Sequence, residues 1–444
     1  MFKTLRNALK VKDIRVKLLY TFFALIVIRL GSQLPVPGVN REYFQLWLSN
    51  QFGDLGFLNT LTGGSFEQMS IFALNITPYI TAQIIMQLLT IAIPALEEMQ
   101  KDGEDGRKKI GEITRYLTIG LSIVESIAMA IGFGNTSGVL DGGLTFTNVA
   151  IITASFTAGS AYLMWLGERI NDHGIGNGIS IILLINIVAD MPNSINSLVT
   201  KFVTGASSIA YSIVAAVAIL VILVGLVVLI IVLSDAERRI SVQYAQKVQG
   251  RRMVGGQSSF IPLKVNTAGV MPIIFAVSIM QFPIIVCSFF GLKPARAYFW
   301  PKVLYLLDQG TWFNVSSAGE FKYTLGVILY IAMLIFFAYF YTSITFNPNE
   351  IASNMKKQGG FIPGIRPGRP TTDYLTKVLN YVVFIGAACL TVIALIPLIL
   401  SGVFNASVSF GATSIIIIVG VVLETVNQIE SMMLVRHYKG FLNE

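Results

Sequence analysis

Apolar residues in this chain come in long blocks separated by polar stretches. A helix needs about 20 mainly apolar residues to cross the hydrocarbon of a bilayer. Ten segments are read as such spans: 18–34, 71–93, 114–133, 149–168, 177–191, 211–233, 268–290, 322–345, 374–399 and 409–430. The fifth is short, and the glycine-rich run GIGNGIS at 174–180 predicts a helix longer than its apolar count. No soluble domain interrupts the series. The expected fold class is an all-α polytopic membrane protein with ten transmembrane helices.

Composition agrees: 54% of residues are hydrophobic and 13% charged, against about 25% charged in soluble domains. A water-soluble fold is thereby excluded. The chain opens on MFKTLRNALKVKDIRVK with no small-residue cleavage site after a short apolar stretch, so the first helix is expected to be retained. Lys and Arg accumulate in cytoplasmic loops. If the ten spans alternate, 25 of the 32 cations fall on the side of both termini, 6 on the opposite side and Arg29 within the first span. N- and C-termini are therefore expected in the cytoplasm.

Two loops on the cation-rich side, 234–266 and 346–373, are long, basic and punctuated by Gly and Pro. Topology signalling explains such charge, and so does a docking surface for an acidic partner such as RNA, anionic lipid or protein. The stretch FLNTLTGGSFEQMSIFALNITPYI at 57–80 breaks the pattern. It begins with a semi-polar helix candidate, contains Gly63-Gly64 and leads into the second span past Asn75, Thr77 and Pro78. Irregular backbone at membrane depth survives only inside protein or a wet cavity, which leaves a capping loop or a re-entrant segment.

Ionisable residues inside spans are functional candidates. Arg29, Glu424 and Glu430 are read as snorkelling or locally paired; Glu125 is deepest, with Gln87 and Asn266 as polar residues able to meet it. Cys287 and Cys389 lie in apolar runs as small hydrophobes, and His173 and His437 are too few and too distant for a metal centre. Neither a nucleophile–base pair nor a phosphate-binding GxxxxGK[ST] run occurs, so no enzyme chemistry, cofactor or metal site is expected.

Four runs carry a more specific signal: NTLTGGSFEQMSIFALNITPYITAQIIMQLL (59–89), ERINDHGIGNGIS (168–180), YAQKVQGRRMVGGQSSFIPLKVNTAGVMPIIFA (244–276) and FNPNEIASNMKKQGGFIPGIRPGRPT (346–371). In order and spacing they resemble the plug and second helix, the fourth-to-fifth junction, the first long loop with the seventh helix, and the second long loop of the SecY family. The resemblance implies two inverted pseudo-symmetric five-helix halves around an hourglass pore: 1–192, an external hinge at 193–209, and 210–444. It implies a pore ring of Ile80, Ile84, Leu183, Ile187, Ile274 and Ile417. It places a plug at about 58–70, including Leu61, Gly63, Gly64, Ser65 and Phe66, and a lateral gate near Thr77, Gln87, Glu125 and Asn266. Lys247, Arg251, Arg252, Lys356, Lys357 and Arg366 would contact the ribosome and the motor ATPase SecA.

The implied function is a protein-conducting channel that passes unfolded secretory polypeptides across the plasma membrane and releases membrane segments sideways into lipid. Its implied partners are SecE-like and SecG-like small subunits, SecA, the ribosome, a signal-bearing polypeptide and membrane lipid. The alternative is a secondary transporter of a small solute. That reading needs more polar groups near the midplane than Glu125 supplies, and it leaves the two basic loops without a purpose.

Overall fold

The structure is a computed structural model that describes residues 6, 8–51, 62–134, 138–140, 142–200, 209–244, 247–249, 252–254, 258–289, 299–308, 312–313, 325–403 and 412–440. In chain order its helices are α1 (Lys12–Gly31), α2 (Arg41–Gln51), α3 (Thr77–Ala92), α4 (Pro94–Lys101), α5 (Glu104–Gly134), α6 (Phe146–His173) and α7 (Gly178–Val199). They continue as α8 (Ile209–Asp235), α9 (Met271–Phe289), α10 (Phe299–Leu307), α11 (Leu325–Thr345), α12 (Pro348–Lys357), α13 (Arg369–Val403) and α14 (Ala412–Gly440). α1, α3, α5 to α9, α11, α13 and α14 fall on the ten segments read as spans.

Six helical stretches among the described residues are long and apolar enough to cross a bilayer, and α3 with α4 makes a seventh. That pair bends by 100° at its break. Pro94 causes the bend: it lacks a backbone N–H, opens α4, and forces Ile93 into an extended conformation. Large apolar side chains lie exposed in rows, for instance Val217, Leu220, Val221, Val224 and Val228 on α8 and Phe384, Ile385 and Val392 on α13. Such faces would aggregate in water. Against hydrocarbon they cost nothing, because each helix satisfies its own backbone polar groups.

The main core is one apolar cluster fed by α1, α3, α6, α7, α8, α9, α11, α13 and α14. Two seams join the halves of the chain: α14 packs on α7, and α9 packs on both α3 and α5. A second cluster joins Val36 and Phe44 to Phe66, Met69 and Leu74 and to Met129, Phe133 and Phe156, so the segment before α3 rests on α2, α5 and α6.

Residues 63–76 form turns, where the sequence suggested the end of a short helix. Gly63 and Gly64, but also Met69 and Asn75, have left-handed backbone. Four such residues are incompatible with a continuing α-helix. Residues 57–61 of the suggested helix, including Leu61, lie outside the described residues. The fifth span is longer than its apolar count, as expected; it gains at its end, running through Pro192 to Val199.

The basic loops contain strands that the sequence reading did not anticipate. β1 (Glu237–Tyr244) pairs antiparallel with β4 (Ser258–Lys264) on one edge and with β5 (Gly360–Phe361) on the other, while β2 (Lys247–Gln249) and β3 (Arg252–Val254) form a hairpin. Ile240 and Val242 alternate inward along β1 and meet Leu263, Ala352, Met355, Ile362 and Leu375. The two long loops are thus one small body with its own core, built on α12 and the start of α13.

Candidate functional site

The six ring candidates lie on four helices. Ile80 and Ile84 are one helical turn apart on α3, and Leu183 and Ile187 likewise on α7, so each pair shares a face. Ile274 comes from the first turn of α9 and Ile417 from α14. None is more than 8% exposed, and all six belong to the same apolar cluster. Two of the contributing helices come from the first half of the chain and two from the second. Ile415 and Ile416 are buried as well as Ile417, so burial alone does not single out one of the three on the fourth helix. A wholly apolar lining, were a pore to run through it, would offer water and ions no replacement for their hydration.

Beside this cluster sits the irregular segment. The Phe66 ring meets Phe44 and Phe133 edge-on, with centroids 6.1 and 6.0 Å away. The Phe66 amide donates to Thr62 Oγ1 at 3.3 Å and the Ser65 amide to the Thr62 carbonyl at 3.3 Å. The Met69 carbonyl accepts from the Val36 amide at 3.0 Å, and the Ile71 amide donates to the Leu34 carbonyl at 2.9 Å, which fixes the segment to the linker after α1. At the other end Arg29 Nη1 donates to the Gly63 carbonyl at 3.1 Å. A Cβ on Gly63 would lie 2.8 Å from the Asn186 Cα, so this glycine touches the backbone of α7 between Leu183 and Ile187. Asn186 Nδ2 donates to Asn75 Oδ1 at 3.1 Å, with both side chains buried.

Sequence reasoning flagged Arg29 but took it to snorkel or pair locally; its observed partner is 34 positions away. Asn186 was missed altogether. A lone amide in ISIILLINIVAD was the available signal, since an apolar span carries a polar side chain only where a partner waits.

The gate candidates stay apart. Thr77 is the first residue of α3, half-buried; Gln87 is half-buried one to two turns from its end, with Oε1 shielded and unpaired among the described residues. Glu125 is half-buried on α5, and no hydrogen bond joins the four among the described residues. Asn266 lies in the turn before α9, where it lines a cavity of about 10 Å³ with Thr267, Pro272, Thr342 and Gly386. That places it towards α11 and α13, because the turn at 265–270 wraps around Gly386, whose missing Cβ would sit 2.1 Å from the Val265 carbonyl oxygen. The helices proposed to flank the gate are nonetheless in contact, through α9 on α3 and α5.

On the basic body, Lys356 and Lys357 are exposed in the last turn of α12 and Arg366 is exposed in the turn at 363–368. The Arg366 carbonyl accepts from Thr371 Oγ1 at 2.9 Å, and left-handed Gly364 and Gly368 bracket the turn. Lys247 and Arg252 stand on the β2–β3 hairpin, and Arg251 lies outside the described residues.

Helices long and apolar enough to cross a bilayer, two seams between chain halves, a shared apolar cluster and an irregular segment beside it define the class: a multi-pass helical membrane protein. The sequence model described as SecY matches residues 70–426. A "Protein translocase subunit SecY" of Bacillus licheniformis is 43% identical with all of both chains covered. Its namesake in Thermotoga maritima is 39% identical over all of this chain and 98% of its own. The chain belongs to the SecY family. Among solved structures, one described as a protein conducting channel covers 94% of this chain and 92% of its own at 17% identity and TM-score 0.65. Sec61 in a canine ribosome–channel complex covers the same shares at 17% identity and TM-score 0.62. These two show the fold.

Proposed function

We propose that this chain forms the pore of a protein translocation channel in the plasma membrane, with both termini in the cytoplasm. One observation supports the reading: the six apolar side chains, from both halves of the chain, all belong to a single buried apolar cluster. A constriction without polar groups suits a passenger of arbitrary sequence, since it seals against ions yet makes no specific demand on the polypeptide. A small-solute transporter would need coordinating groups there, and the family membership gives that alternative no support. The role is conduction, a non-enzymatic one.

In this reading the halves are 1–192 and 210–444, hinged at 193–209. The pore ring is Ile80, Ile84, Leu183, Ile187, Ile274 and Ile417; the plug is the segment around Gly63–Phe66. The seam of α9 against α3 and α5 is the lateral gate, through which apolar passenger helices pass into lipid. Thr77, Gln87 and Glu125 are its polar residues on α3 and α5, while Asn266, at the start of the α9 side, is turned towards α11 and α13. The basic body, with Lys247, Arg251, Arg252, Lys356, Lys357 and Arg366, docks the ribosome and a SecA-type motor, and SecE-like and SecG-like subunits complete the assembly. A structural neighbour is a Sec61 channel seen with a ribosome, which supports a ribosome as one partner.

Site-specific crosslinking to a stalled secretory chain tests the proposal. Cys287 and Cys389 are removed and a probe is placed at Ile187 or Ile274, with lipid-facing Val228 on α8 as control. Crosslinks at the two ring positions and not at Val228 are expected. Membranes that export normally yet give no crosslink at either ring position would sink it.

A further inference from the structure

We propose that Arg29 is a positioning residue for the plug: its guanidinium holds the Gly63 carbonyl and so sets the resting closure of the pore. The inference rests on the pore-and-plug reading above and extends it to a side chain outside the ring and the plug.

Arg29 lies in the last turn of α1, and its Nη1 donates to the Gly63 carbonyl at 3.1 Å. Gly63 has φ +63°, which a side chain rarely tolerates, and its Cα surface is pressed on the Asn186 backbone of α7. The carbonyl therefore cannot turn away from Arg29 without the glycine leaving its seat beside Leu183 and Ile187. A second tie fastens the far end of the same segment to the same residue, Asn186 Nδ2 to Asn75 Oδ1 at 3.1 Å, with Asn75 also left-handed. Between the two ties the Met69 carbonyl and the Ile71 amide are bonded to the linker after α1. Of these contacts, only the one at Gly63 uses a charged donor.

The choice of acceptor matters. A guanidinium paired with a carboxylate in this setting is hard to separate, since two charges would be left unmatched. A neutral carbonyl gives a charge-assisted bond that breaks without uncovering a second charge. When the plug leaves, water enters the vacated funnel and solvates Arg29. Gly64, at φ +83°, supplies the backbone freedom for that departure. The bond is thus strong enough to bias the plug towards closure and weak enough for a passenger to displace.

The test uses the full chain assembled with its membrane partners in proteoliposomes. Resting halide efflux and export of a precursor with a defective signal are compared for wild type, Arg29→Leu and Arg29→Lys, each scaled to export of a normal precursor. Arg29→Leu is expected to raise both quantities at least five-fold. Arg29→Lys keeps a donor and should stay within two-fold of wild type. Wild-type values for Arg29→Leu overturn the proposal, as does a lowered thermal midpoint with an unchanged leak, which would mark the arginine as structural only. Should Arg29→Leu fail to accumulate, Gly63→Ala displaces the same carbonyl by its clash with Asn186, and a wild-type leak there overturns the proposal equally. If the wild-type vesicles themselves export no precursor, the channel reading fails and not the role of Arg29.

Discussion

Where α6 meets α7, it is missing side chains that allow the structure. A Cβ on Gly178 would lie 1.9 Å from the Gly167 carbonyl oxygen, and one on Gly159 would lie 2.1 Å from the Ile71 carbonyl oxygen. Both obstacles are backbone, so no rotamer change relieves them. Gly178→Ala must push α6 and α7 apart, at an expected cost of about 1–3 kcal/mol. The thermal midpoint of the purified protein in detergent should fall; an unchanged midpoint would show that the helices do not approach this closely. At the proposed ring the logic reverses, and polarity is the harmful addition. Ile187→Asn is predicted to raise resting ion leak several-fold, because an amide at the constriction offers water a partner. Equal efflux from wild-type and Ile187→Asn vesicles would rule out a dewetted seal at that position. Among the described residues no hydrogen bond or ion pair engages the exposed Arg366 side chain, which fits a contact made with a partner. Arg366→Glu should block motor-driven export while the chain still inserts, and normal export by that variant would remove the assignment.

The elements differ in how plainly the sequence announces them. Spanning helices were legible because 20 apolar residues in a row have few other uses, and the ten predicted segments match helices to within a few residues at most ends. The strands of the basic body were present as a period-2 pattern, Arg239-Ile240-Ser241-Val242-Gln243. Net positive charge and Gly-Pro punctuation outweighed that short alternation, and the apolar partners, Met355, Ile362 and Leu375, lie more than a hundred residues away. Pairing across that distance leaves no local trace. The irregular segment was half legible: its glycines marked the break, but left-handed Met69 and Asn75 are imposed by tertiary contacts. Among site residues, the ring came from family resemblance and not from spacing, since each isoleucine alone reads as packing. Val242→Asp tests whether the basic body folds as a unit. A buried carboxylate without a partner costs several kcal/mol, so the sheet should open while the membrane helices remain. Limited trypsin digestion should then cut at Arg238, Arg239 and Lys356 several times faster than in wild type. Unchanged cleavage would mean that the sheet contributes little to the order of these loops.

Taken whole, the molecule is asymmetric along the bilayer normal. The basic body precedes α9 directly through β4, and α10 follows α9, so in the proposed topology α9 is the one crossing between Lys264 and Phe299. At the α10 end Phe299 and Trp300 are exposed aromatics, the kind of side chain that settles at a bilayer interface. At the other end stand Lys356, Lys357 and Arg366, together with the larger share of the cations. By the positive-inside rule the cation-rich end is the proposed cytoplasmic one, and the proposed docking surface for a ribosome or soluble motor lies at that same end. In a background without Cys287 and Cys389, Lys356→Cys should react with an impermeant maleimide only in inside-out vesicles, and Phe299→Cys only from the outer face. Both sites are exposed, so failure to label would reflect sidedness and not burial. The reverse pattern would invert the molecule in the membrane, turn the basic body away from every cytoplasmic partner, and remove the physical basis for assigning Lys356, Lys357 and Arg366 to docking.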